Sequence, residues 1–175
     1  MMRIIISKLK KPRWEYKYSD VGYYFLLKII EKQTGQPLNE YVQKDFYTAL
    51  GTNNLTYHPR EKFPLERIVP TEYDMLFRKQ LVHGDVHDPG AAMLGGLGGH
   101  AGIFSNANDL GKLMQMYLSG GEYGGERYIK KETITKFTGC QFCKQNNRRG
   151  AGFDKPAVDG VNNPVCDCAS LESFG

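Results

Sequence analysis

Seven glycines crowd into residues 84–102, and four more into residues 120–125. Glycine inside a helix or strand costs roughly 0.5–1 kcal/mol against alanine, so neither run can be a long regular element. Tight turns and close backbone approaches are expected there instead. Ala, Leu, Met, Ile and Phe are interleaved with the first cluster, which argues for a packed loop and against a flexible linker.

The flanking segments have clearer patterns. Residues 13–18 alternate with aromatics at Trp14, Tyr16 and Tyr18, as a short extended segment does. Ser19 is the expected N-cap of a helix from Val21, with Asp20 in its first turn and Gly35 as its stop. Tyr24, Phe25, Leu26, Leu27 and Ile30 cover much of that helix, so it is expected to be buried. Pro37 opens a second helix running to about Leu50, with Gly51 closing it. Residues 52–104, punctuated by Pro59, Pro64, Pro70 and Pro89, read as irregular or β-rich, and such long segments are often functional. Ser105 is the expected cap of a helix carrying Leu110, Leu113, Met114 and Tyr117 up to Gly120-Gly121. A turn around Gly124-Gly125 and a short helix over 131–137 follow.

The 175 residues suit one domain or a large part of one, and 41% hydrophobic with 24% charged residues is a globular balance. The net charge of +4 is scattered; the densest groups are Lys8-Lys10-Lys11-Arg13 and Lys144 with Arg148-Arg149. That pattern, without a basic stripe or a recognisable module, argues against nucleic-acid binding. No apolar run approaches the roughly 20 residues that span a membrane. Ile4-Ile5-Ile6 is too short for a signal-peptide core, so no export signal is expected in the chain as written.

Four groups are candidates for chemistry. Tyr18-Ser19-Asp20 puts a phenol where a helix begins, a good place to aim a side chain into a cleft. His83, Asp85, His87 and Asp88 invite a metal reading, but Gly84 and Pro89 disfavour a helix and the spacing is not His-Glu-x-x-His. A turn-rich loop with hydrogen-bonded histidines is the expectation. Gly95 to Gly102 lacks the Gly-Lys-Ser/Thr ending of a phosphate loop. Cys140, Cys143, Cys166 and Cys168 could hold a tetrahedral zinc, and free thiols or disulfides fit them equally.

Together these segments resemble a known family. Tyr18-Ser19-Asp20 resembles the Tyr-x-Asn element of class C β-lactamases and related esterases and peptidases, with Asp in the third place. The stretch Gly98-Gly99-His100-Ala101-Gly102-Ile103-Phe104-Ser105, then Ala107-Asn108-Asp109-Leu110, resembles the family's Gly-Gly-x-x-Gly-Leu-Phe-Ser-Thr-Ala-x-Asp-Leu run and is the more specific signal. Val86-His87-Asp88, Asn147 to Gly150 and Gly152-Phe153-Asp154 resemble a branch that can be fused to glycosidase domains. The resemblance covers most of residues 13–175.

The resemblance to class C β-lactamases and penicillin-binding proteins implies a serine acyl-enzyme. A serine of a Ser-x-x-Lys helix attacks an acyl carbonyl, Tyr and Lys handle the proton, backbone N–H groups hold the oxyanion, and a Lys/His-Thr-Gly strand borders the acyl group. It gives Tyr18 the acid/base role and Asp20 a polar substrate contact, altered by a carboxylate in place of the amide. No cofactor is implied. The expected fold is α+β and β-lactamase/transpeptidase-like but incomplete: mainly the helical lobe, irregular loops and few strands. Residues 1–175 are expected to be a partial domain lacking the nucleophile helix with its Ser-x-x-Lys quartet and the C-terminal strands, and so inactive alone. The parent would act on a β-lactam, D-Ala peptide or ester, and the family usually works outside the cytoplasm. Uncovered apolar surface would favour self-association. Two alternatives stand beside this: a non-catalytic binding module with a groove lined by Tyr18 and residues 95–104, and a small zinc-stabilised module on the four cysteines.

Overall fold

The first helix forms where the apolar spacing places it. A computed structural model of the chain describes residues 18–145, 148–156, 169–170 and 172–175. In it α1 spans Val21–Thr34 and stops at Gly35, whose φ of 72° lets its N–H reach the Glu31 carbonyl at 2.9 Å. Asp20 is the capping residue but is already helical, so the cap bond comes from Ser19, whose Oγ accepts the Val21 N–H at 3.3 Å. The expectation of a buried helix is corrected. Only Leu27 is buried, while Leu26 and Ile29 stand 50% and 49% exposed. The apolar residues cover more of the circumference than the one face that packs among the described residues.

Pro37 precedes α2 (Leu38–Val42), which runs without a break into a π-helical turn, Gln43–Tyr47. The wider turn is tied by the Thr48 N–H and hydroxyl, both on the Gln43 carbonyl, at 3.0 and 2.8 Å. Gly51, at φ 68°, closes it as expected. Leu27 of α1, Leu38 of α2 and Tyr57 form the buried cluster here, with Ile30, Val42, Leu94 and Leu97 packed on it.

The 52–104 stretch is irregular, with single turns of 3₁₀-helix at Pro59–Glu61 and Leu65–Arg67. Its hairpin pairs β1 (Pro70–Asp74) with β2 (Gln80–His83), antiparallel, Tyr73 opposite Leu81, with a bulge between Pro70 and Glu72. Asp74 fastens the hairpin loop. Its carboxylate accepts the N–H groups of Leu76, Phe77 and Arg78, each at 2.9 Å, and the Arg78 Nε at 3.0 Å. Arg78 in turn donates to the carbonyls of Val86 and His87, at 2.7 Å each. A short α3 (Pro89–Met93) follows, capped by Asp88.

α4 spans Ala107–Leu118. Its cap is Asn106, not Ser105: the Asn106 Oδ1 accepts the Asp109 N–H at 2.8 Å. Asp109, 2% exposed, accepts the Asn54 backbone N–H at 2.6 Å and so ties α4 to the 52–58 segment.

The chain divides into two compact units between Leu113 and Met114. In the second, β3 (Glu122–Tyr123) and β4 (Glu126–Arg127) form a hairpin around Gly124 and Gly125, both at positive φ, as a two-residue mirror-image turn requires. α5 spans Lys131–Thr138. Tyr117, Phe153 and Phe174 stack edge to face at 5.4 and 5.3 Å, and Arg148 forks onto Asp154 at 2.9 and 3.1 Å. Among the described residues, helices with two small two-stranded sheets are what an incomplete α+β fold of this type would contain. No described helix is long and apolar enough to cross a membrane.

Candidate active site

Tyr18 stands just before α1, 64% exposed, with Ser19 exposed beside it and Asp20 partly buried. The helix therefore begins by presenting the phenol outward, and Ser19 serves as a cap. The first turn is anchored by the Asp20 carbonyl, which accepts the N–H of Tyr23 at 2.9 Å and of Tyr24 at 3.4 Å.

The glycine-rich run packs directly under this turn. A Cβ added at Gly99 would stand 2.5 Å from the Tyr23 carbonyl oxygen, and one at Gly90 would collide with the Tyr24 hydroxyl. The His100 ring meets the Tyr24 ring edge to face at 5.0 Å. Asp88 then ties the two ends of the run: its Oδ1 accepts the Ala91 N–H at 2.7 Å and lies 2.8 Å from His100 Nε2. Burial raises the Tyr24 pKa, with the charges of Asp88 and Asp20 adding to it. Burial opposes ionisation of Asp88, but the Ala91 N–H and His100 outweigh it and its pKa is lowered.

The rest of the run is zipped to residues 56–58. Thr56 and Phe104 exchange backbone bonds at 2.9 and 2.8 Å. The Tyr57 hydroxyl donates to the Gly98 carbonyl at 3.3 Å, and His58 Nε2 lies 2.8 Å from the Gly95 carbonyl. Close backbone approach is thus the reason for the glycines: a Cβ at Gly102, where φ is 119°, would strike the Gly96 carbonyl.

The other candidates disperse. His83 Nε2 lies against the Ile68 carbonyl, His87 Nδ1 is 2.7 Å from Glu72, and Asp85 is 3.3 Å from Arg60. Among the described residues no three His, Cys, Asp or Glu side chains converge as a metal site would require. Cys140 and Cys143 are joined in a disulfide, one of the states left open for them, while Cys166 and Cys168 lie outside the described residues. A cavity of about 560 Å³ is lined by Arg60, Arg78, His83, Gly95 and Gly96 among others, and Tyr18 is not part of its wall. The Asp88–His100 pair was not foreseen from the sequence; only Asp88 before Pro89 signals a helix cap.

One expectation about the nucleophile needs correction from the chain itself. Ser7-Lys8-Leu9-Lys10 does have the Ser-x-x-Lys spacing, outside the described residues. Lys-Thr-Gly and His-Thr-Gly are absent from the 175 residues.

The sequence profile of the Beta-lactamase family matches residues 7–153. The chain belongs to the Beta-lactamase family. An Escherichia coli (strain K12) protein that bears the provisional name D-alanyl-D-alanine carboxypeptidase is 39% identical over 140 residues, covering 73% of this chain and 32% of its own. A Salmonella typhi protein of the same name is 36% identical over 151 residues, covering 76% of this chain and 35% of its own. The chain thus spans about a third of the length of the curated relatives it matches. A D-amino acid amidase from Ochrobactrum anthropi SV3, solved with L-phenylalanine, superposes with a TM-score of 0.55 at 20% identity, covering 75% of this chain and 34% of that one. That likeness establishes the shared fold of this β-lactamase-family chain.

Proposed function

We propose that this chain supplies the Tyr18–Asp20 edge of a β-lactamase-like acyl-transfer site and forms no acyl-enzyme as these 175 residues. The observation that carries the reading is the exposed Tyr18 phenol at the start of a helix whose first turn is packed from below. Tyr18 would pass a proton to or from the reacting group, and the nucleophile would come from a Ser-x-x-Lys helix. Ser7 does not fill that role in this reading, because a nucleophile must be fixed within hydrogen-bond reach of its base. Proline at position 12, two residues after Lys10, is a poor residue for continuing such a helix.

The parent's substrate, in this reading, is a peptide ending in D-alanine. The name of the Escherichia coli relative favours it over a β-lactam or a simple ester. Asp20 bears on the choice against a simple ester, since a carboxylate only accepts hydrogen bonds and would take an amide N–H of such a peptide. A titration with an N-acylated D-Ala-D-Ala dipeptide, followed by NMR, tests this. Shifts confined to residues 18–20 and the adjoining 98–104 loop are expected. Shifts confined to the cavity by Arg60 and His83, or none at millimolar dipeptide, would contradict it.

A further inference from the structure

We propose that Asp88 and His100 are positioning residues that hold Tyr18 and Asp20 in place by clamping the first turn of α1, an inference that rests on the acyl-transfer reading above. Tyr18 and Asp20 precede a helix with two half-exposed apolar residues, so α1 alone does not fix where its N-terminus points. The loop does. Gly99 lies against the Tyr23 carbonyl, Gly90 against the Tyr24 hydroxyl, and the His100 ring against the Tyr24 ring.

The last of these contacts depends on the His100 ring staying where it is. The His100 side chain is 8% exposed, and its Nδ1 is buried without a partner among the described residues. Its hydrogen bond through Nε2 to Asp88 at 2.8 Å is therefore what sets the ring orientation. A buried histidine with one unpaired nitrogen is costly to keep, and a leucine would fill the space without that cost. Asp88 joins the ring to α3 by accepting the Ala91 N–H with the same oxygen. The chain of contacts thus runs from α3 through Asp88 and His100 to Tyr24, and from there to the residues that carry the proposed chemistry.

The test uses amide exchange by NMR on the full 175-residue chain, with the Tyr18 ring labelled. Asp88→Ser keeps a hydroxyl to cap α3 but is too short to reach His100. His100→Leu keeps volume, and His100→Gln keeps an N–H near the Nε2 position. In Asp88→Ser and His100→Leu, the Tyr23 and Tyr24 amides should exchange at least about tenfold faster, while Thr133 and Ile134 of α5 are unchanged. The Tyr18 ring signals should move towards their unfolded-chain positions in the same two variants. His100→Gln should stay within about threefold of the parent chain.

Equal behaviour of the Gln and Leu variants would overturn the proposal, as would acceleration spread evenly over all amides. If His100→Leu does not fold, Asp88→Ser against the parent chain decides by the same criteria. Exchange reports where the turn is held and not what Tyr18 does. Whether the dipeptide shifts residues 18–20 of the unaltered chain is read separately from exchange, so failure of the acyl-transfer reading and failure of this one are distinguishable.

Discussion

α1 and the glycine-rich run from Gly84 to Phe104 lie against each other but are held by opposite means. The helix satisfies its own backbone and needs one apolar residue, Leu27, to seat it on Leu38 and Tyr57. The run closes backbone bonds of its own around α3 and between Gly98 and Ala101. Several of its remaining carbonyls and N–H groups are taken up by Arg78, His58, Tyr57, Thr56 and Asp88, all polar side chains or an isolated bridge. Periodic burial orders the one; side-chain hydrogen bonds and the absence of Cβ atoms order the other. The irregular region should therefore be the more sensitive to charge and to any added methyl group.

Acid should break this comparison most widely. The Phe77 N–H first, then the Arg78 N–H, holds the Asp74 carboxyl well below its usual range, against the opposing effect of burial. Burial opposes ionisation most in Asp88 and Asp109, but the Ala91 N–H in one and the Asn54 N–H in the other help to lower them as well. A carboxylate with a lowered folded pKa contributes stability above its unfolded value of about 4 and loses it as pH falls. The Tm should be nearly flat from pH 7 to 5 and fall below about pH 4, with the 84–104 amides losing exchange protection before those of α1 beyond Tyr24. Simultaneous loss in both regions would mean that the two are one cooperative piece with no separate fastening.

Asp74→Ala comes next. It strips three N–H groups of their acceptor and removes one of the two carboxylates on the Arg78 guanidinium, and Arg78 then holds the Val86 and His87 carbonyls less firmly. A thermal melt should give the lowest Tm among the single variants, with the disturbance centred on the hairpin and residues 85–88. Little change would show that the network is incidental.

The same glycine-to-alanine change should have opposite signs in the two regions. Gly102→Ala puts a methyl group at φ 119° against the Gly96 carbonyl and the Tyr57 ring, at a cost of about 2–3 kcal/mol by urea unfolding. Gly22→Ala, in the first turn of α1 with open space around it, should add about 0.5–1 kcal/mol. Two changes of the same sign would remove the distinction.

The two regions also differed in how far they could be read in advance. The apolar spacing after Val21 and the stop at Gly35 place α1 to the residue, and Gly124-Gly125 places its hairpin turn. These signals are local, and local geometry answers them. The degree of burial of α1 was not legible, because spacing says which residues are apolar and not how much surface packs on them. Ser105 was read as a cap where Asn106 serves, since both are good acceptors and only the backbone path chooses. The pairing of Asp88 with His100 across twelve residues, and of Asn54 with Asp109 across 55, leaves no periodic trace. The candidate site was legible only as far as Tyr18-Ser19-Asp20 and the long glycine-to-helix stretch. What lies beneath that site emerged from the fold.

The most direct test of the central claim is the intact mass of the chain after incubation with a reactive fluorophosphonate or penicillin, followed by peptide mapping. The account predicts no adduct on any of the six serines. A stoichiometric adduct on one serine, with Ser7 the first to examine, would show that these 175 residues carry their own nucleophile and would contradict it.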